Sequence, residues 1–279
     1  MSVDLILVHS GNTFPSYINS TIKLAKKYIS NIHIIIDQQF IDAIEDKNCI
    51  VVASNTLEDF RYQTYNIKNY DIKFRDNFFT RTSSRFILLD NYITKNNISS
   101  CFHIENDIAV FSDLQQIKTK LDHTNQDTAI IMDHPQRCVP SLVWFKNHIS
   151  SKRLANFIYD NNTLDDMRNL AQYFLQHKDK IINLPITPFN LIYRDINFGN
   201  YFNILDSIFD GASIGQYLYG IHTEETNKNT SGFINETSVF KPDQYLISFK
   251  NKEPYIEYDN KQIKINNLHI HSKKLEQLL

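Results

Sequence analysis

The sequence predicts an α/β fold: an open, mostly parallel sheet flanked by helices, with a small antiparallel β element near the C-terminus. Three observations carry this expectation. Leu5–Val8, Ile32–Ile36, Cys49–Ala53, Phe102–Ile104 and Ala129–Met132 are short, nearly continuous apolar runs, the pattern of strands buried on both faces. Segments of helical periodicity alternate with them. Tyr245–Ile265 alternates at a period of two, with Asp259-Asn260 in the turn, which is the pattern of a small antiparallel hairpin.

Taken in chain order, Tyr17–Ile29 is an amphipathic helix between the first two strands. Asn55–Phe79 is polar, rich in aromatics and without a period. Ser83–Lys95 reads as a helix, and Leu114–Leu121 as another, with Ser112-Asp113 placed to cap it. Ser151–Tyr159 and Leu164–Lys178 follow as two more helices. Ile208–Tyr219 mixes apolar and polar residues, and His222–Glu236 is polar and aperiodic, the composition of a mobile loop. No internal repeat and no linker rich in Pro, Gly or Ser divides the chain, so 1–279 is expected to form one unit.

Composition removes several functional classes. A formal net charge of -2 over 279 residues gives no electrostatic footprint for nucleic acid. No apolar run approaches the roughly 18 residues that span a bilayer. Met1-Ser-Val-Asp-Leu-Ile enters its first strand without a basic lead or a small-residue cleavage site, so no signal peptide and a cytoplasmic location are expected. Cys49, Cys101 and Cys138 lie in or beside strand-like runs with no metal spacing and read as reduced, buried thiols. Neither Gly-x-Gly-x-x-Gly nor Gly-x-x-x-x-Gly-Lys-Ser/Thr follows the first strand, which argues against a dehydrogenase-type dinucleotide site and against a P-loop.

The chemistry is concentrated in Cys101-Phe-His-Ile-Glu-Asn-Asp-Ile-Ala-Val-Phe111. Glu105 and Asp107, two apart on an extended chain, project to one face. Carboxylates held together between apolar segments repel unless a positive group lies between them, and a divalent metal is the usual one. The plainer alternative is a strand that ends in a polar turn. Near the other end of the chain, Asn267-Leu-His-Ile-His-Ser-Lys-Lys274 supplies imidazoles and ammonium groups. His269 and His271 alternate, so spacing leaves the ligating one open, and the Ser272-Lys273-Lys274 continuation favours His271.

These pieces resemble the nucleotide-sugar glycosyltransferases of the GT-A fold. There a strand ends in Asp-x-Asp, or a variant such as Glu-x-Asp, and a C-terminal histidine is followed by a lysine. The resemblance implies Mn²⁺ or Mg²⁺ held by Glu105, Asp107 and His271, with Asn106, Lys273 and Lys274 toward the donor diphosphate. Glu105 is one methylene longer than the commoner Asp and has a second reading, a contact to the ribose or to a metal-bound water. The resemblance further implies a sugar-nucleotide donor, a UDP-sugar favoured over a GDP-sugar, and a hydroxyl acceptor on a glycan or protein. It assigns 1–135 to the donor and 136–279 to the acceptor and the C-terminal element.

Other positions follow from the same resemblance. His9, Ser10, Gly11 and Tyr17 fall where the base and ribose are held, and Gly11 permits close backbone approach. Arg81 and Arg85, four apart on a helix start, fall where a basic residue meets the diphosphate; the plain alternative for Arg85 is an ion pair with Asp90. Asp210 is the leading general base should the reaction invert the anomeric carbon, with a helix cap as its competing role, and Asp133 is second. Gln216 and Asn190 are candidates for orienting sugar hydroxyls. The alternative function is a carbohydrate- or nucleotide-binding protein on a degenerate transferase scaffold.

Overall fold

In the computed structural model, which describes residues 3–221 and 230–279, the expected α/β architecture is what the chain forms. A seven-stranded sheet runs in the order Ile181–Asn183, Thr128–Ile130, Leu142–Phe145, Cys101–Ile104, Asp4–His9, Ile32–Ile36, Ile50–Ala53. The last four of these are mutually parallel. Leu142–Phe145 alone runs antiparallel to its neighbours. Leu5, Ile6, Leu7, Ile34, Ile35, Ile36, Phe102 and Ile104 are fully buried. Helices cover both faces of such a sheet, so its central strands are apolar throughout.

Sequence patterning found the elements better than their ends. The helix after the first strand stops at Ala25, four residues short of Ile29, and the chain turns through backbone bonds from Tyr28 and Ile29 to Ala25. The helix expected from Ser83 begins at Phe78. Its first turns, Phe-Phe-Thr-Arg-Thr-Ser, carry too many polar residues to show an apolar stripe. It packs against His148–Asp160, whose start is fixed by a reciprocal cap between Asn147 and Ser150. The unassigned stretch after Asn55 holds the end of a 3-10 helix, Ser54–Leu57, one short α-helix, Phe60–Thr64, and turns.

The C-terminal half completes the site. Glu253–Tyr258 and Lys261–Ile265 form the expected hairpin, with Ile247–Lys250 added on one side and Ser207–Ile208 on the other. The chain then crosses back as Asn267–His269, antiparallel to Ile108–Val110, pairing His269 with Ile108. That register sets His269 one residue from the acidic motif. Residues 222–229 of the polar loop expected over His222–Glu236 lie outside the described residues. Cys49, Cys101 and Cys138 are free and buried. No helix among the described residues is long and apolar enough to cross a membrane.

Candidate active site

Glu105, Asp107 and His269 meet at the carboxyl end of the central strands, where open α/β sheets bind ligands. One ligand atom from each lies within 4.8 Å of the others. His269 Nε2 is 3.1 Å from Asp107 Oδ2 and 3.7 Å from Glu105 Oε2. The backbone fixes this arrangement: Ile270 N–H donates to the Asp107 carbonyl at 3.0 Å, next to the strand pairing of His269 and Ile108. Lys273 Nζ also reaches Asp107 Oδ2, and its ammonium lies 5.5 Å from the centre of the Tyr17 ring.

Electrostatics bind the cluster. Burial alone would raise the pKa of Asp107, but the His269 and Lys273 charges outweigh it and hold the carboxyl well below its usual range. Burial would likewise lower His269, and the Asp107 and Glu105 carboxylates reverse that to a net rise. Tyr17 is pushed up by burial and then by Asp107 and Glu105, so its phenol stays protonated. Glu105 Oε2 is buried and makes no hydrogen bond. A buried carboxylate oxygen left in this state is costly, and two carboxylates with one imidazole are a donor set suited to Mn²⁺ or Mg²⁺. The residues therefore fit a divalent ion.

His271 stands beside His269, and its charge also acts on Asp107, but the group of three ligand atoms that lie together takes its imidazole from His269. Strand geometry ends at His269, and a turn closed by Lys273 N–H to the Ile270 carbonyl follows. Alternation therefore stops before His271, whose ring sits edge-on to His269 at 4.4 Å. Lys273, at φ 62°, is turned toward the carboxylates. Lys274 points away and donates to the Tyr219 carbonyl at 3.0 Å.

The first loop borders this cluster. His9 Nε2 is 3.0 Å from the Thr13 carbonyl, and its Nδ1 is 3.4 Å from Asn106 Nδ2. A carbonyl only accepts, so Nε2 carries the proton and Nδ1 accepts from Asn106. Burial lowers the His9 pKa and favours this neutral form. A β-carbon at Gly11 would lie 2.9 Å from the His9 ring, so glycine here makes room for the imidazole. Ser10 Oγ donates to the Arg81 carbonyl at 3.4 Å, while the Arg81 guanidinium pairs with Asp76. Thr21 Oγ1 donates to the Asn106 carbonyl at 2.5 Å, fastening the acidic motif to the first helix.

Arg85 is buried and pairs with neither solvent nor Asp90. Its Nη2 donates to Asp166 Oδ2 at 2.8 Å and stands 2.9 Å from Glu105 Oε1. Asp90 pairs with Arg61 instead. Asp166 was not legible as a site residue. It lies in the first turn of Asp166–Gln176, directly after the Asp165 cap, where an acidic residue looks like ordinary helix-end chemistry.

Asp210 and Asp133 are both fully buried, with their oxygens engaged. Asp210 accepts backbone N–H bonds from Ser213 (2.6 Å), Ile214 (2.8 Å), Gly215 (2.8 Å) and His269 (2.9 Å). Burial pushes its pKa up against the pull of these donors. A β-carbon at Gly215 would lie 2.8 Å from the His269 carbonyl and 2.9 Å from Asp210 Oδ2, so this contact requires glycine. Asp133 is gripped by Arg137, Nε to Oδ1 at 2.9 Å and Nη2 to Oδ2 at 2.5 Å. Gln216 accepts from Asn235, and Asn190 from Asn197.

No protein-family model matches the chain, and no curated protein does. Among solved structures it is similar to mouse xyloside xylosyltransferase 1 at 11% identity and a TM-score of 0.45, covering 74% of this chain and 93% of that one. The galactosyltransferase LgtC, solved with donor and acceptor sugar analogues, gives 10% identity and a TM-score of 0.42 over 66% of this chain and 73% of that one. The glycosyltransferase GlyE of Streptococcus pneumoniae gives 11% and 0.41 over 66% and 45%.

Proposed function

We propose that this chain transfers a glycosyl unit, specifically a hexosyl group, from a nucleotide sugar to a hydroxyl acceptor on a glycan or protein. The observation that carries the reading is the meeting of Glu105, Asp107 and His269, with the buried Glu105 Oε2 unbonded and Lys273 on Asp107. Glu105, Asp107 and His269 would hold Mn²⁺ or Mg²⁺. When bound, the ion supplies Lewis-acid neutralisation of the charge that develops on the departing diphosphate. Lys273 adds a point charge at the same place. The neutral His9, with Asn106 and Ser10, lines the loop that receives the nucleoside. Asp210 holds the Ser213–Gly215 turn against the His269 strand, and Asp133 is engaged by the Arg137 fork.

The test is a thermal-shift screen of UDP-, GDP- and CMP-linked sugars, with and without Mn²⁺, followed by donor hydrolysis and transfer. Ligand that binds only the folded state raises the melting temperature. The expected result is a UDP-sugar shift that requires metal, and turnover reduced more than about 100-fold in Asp107→Ala, the scale of losing one transition-state electrostatic contact. Unchanged turnover in Asp107→Ala would contradict the reading. A metal-independent shift without turnover would make the chain a binding protein.

A further inference from the structure

We infer that Arg85 and Asp166 are positioning residues that aim Glu105 at the metal, an inference that rests on the metal-dependent reading above. Glu105 has one more rotatable bond than an aspartate at the same position, so its carboxylate must be held for a ligand atom to face Asp107 and His269. The structure shows what holds it. A single Arg85 nitrogen, Nη2, has two hydrogens, and the two acceptors within reach are Glu105 Oε1 at 2.9 Å and Asp166 Oδ2 at 2.8 Å. Engaging Oε1 leaves Oε2 as the oxygen turned to His269 Nε2, and Oε2 is the buried atom with no hydrogen bond.

Asp166 fixes Arg85 in turn. The Arg85 side chain is 8% exposed and that of Asp166 6% exposed, so neither is free to swing into solvent. Asp166 belongs to a helix start anchored on its outer side: Asp165 caps the helix through Arg168 N–H at 2.9 Å and receives the Tyr70 hydroxyl at 2.7 Å. The chain of contacts therefore runs from a helix of the second half, through Arg85, to one oxygen of Glu105. Partners behind a metal ligand set its orientation, and losing one typically weakens metal binding by roughly 10- to 100-fold.

The experiment is isothermal titration with Mn²⁺ alone, on the full chain, for wild type, Asp166→Asn, Arg85→Lys, Glu105→Gln and the Asp166→Asn/Glu105→Gln pair. Asn keeps an acceptor oxygen of the same shape, so Asp166→Asn tests the charge with little change of packing, and circular dichroism confirms the fold. The expected result is a loss of about 10-fold or more in Mn²⁺ affinity for Asp166→Asn and for Arg85→Lys. In the Glu105→Gln background, Asp166→Asn should cost nothing further, because a residue acting through Glu105 loses its effect when Glu105 is altered. A residue with a merely structural role would cost the same in both backgrounds, and that additivity would overturn the inference. Wild-type affinity in both single variants would overturn it while leaving the metal reading intact. Failure of the wild type itself to bind Mn²⁺ would overturn both.

Discussion

Two sets of carboxylates lie close together in this fold, and they are satisfied to different degrees. Asp210 is surrounded by four backbone N–H groups and a serine hydroxyl, and Asp133 by an arginine fork. Every carboxylate oxygen there has a protein partner, and what the carboxylates do is hold chain segments together. Glu105 and Asp107 face each other across His269, and one Glu105 oxygen has no hydrogen bond at all. Asp107 is buried like Asp210 and Asp133, and Glu105 is half-buried with its Oε2 buried, so burial alone does not distinguish the sets. The presence of a protein partner for each oxygen does: where the fold supplies none, the geometry leaves room for an ion.

The largest expected effect tests the satisfied set. Asp210→Ala strands the N–H groups of Ser213, Ile214, Gly215 and His269, and a buried donor left unpaired costs about 1–3 kcal/mol. A urea titration should show a stability loss of at least about 3 kcal/mol on that basis, with metal binding falling because the His269 strand is released. Unchanged stability with only kcat reduced would instead make Asp210 a catalytic base and erase the contrast.

The two lysines sharpen the comparison at intermediate size. Lys273 contacts Asp107, whereas Lys274 caps the Tyr219 carbonyl. Lys273→Ala should lower kcat/KM for the donor about 10-fold, equivalent to about 1.4 kcal/mol, and Lys274→Ala should leave it within about twofold on the same scale. Equal effects would mean that the turn at His271 does not separate their roles.

The smallest effect concerns His9. Its folded pKa is depressed by burial, so the unfolded chain takes up a proton first as the pH falls below about 6.5. The contribution of His9 is therefore present above that pH and lost below it, by at most about 1.4 kcal/mol per pH unit. Melting temperatures at pH 7.5 and 5.5 should fall less in His9→Gln than in the wild type. An identical fall would place His9 in an environment as wet as the unfolded chain.

Much of the fold was legible because parallel strands buried on both faces are written as apolar runs, and Leu5–Val8, Ile32–Ile36 and Phe102–Ile104 announce themselves. Leu142–Phe145 and Ile181–Asn183 went unread although they are no shorter than Cys101–Ile104 and Thr128–Ile130, because a short apolar run does not by itself separate a strand from a buried loop. The acidic motif was legible because carboxylates between apolar residues are expensive and need a reason. The choice between His269 and His271 was not, because it depends on where a strand ends, and the Lys273 turn that ends it has no glycine or proline to mark it. The Arg85–Asp166 contact joins residues 81 apart in the chain. Only the packing of two helices brings them together, and no local pattern encodes it.

The most direct test of the central claim is Mn²⁺ binding followed by electron paramagnetic resonance in His269→Ala and His271→Ala. The account predicts that His269→Ala loses the bound-ion signal while His271→Ala keeps it, with affinity within a few-fold of wild type. Loss in His271→Ala with retention in His269→Ala would contradict the site described above.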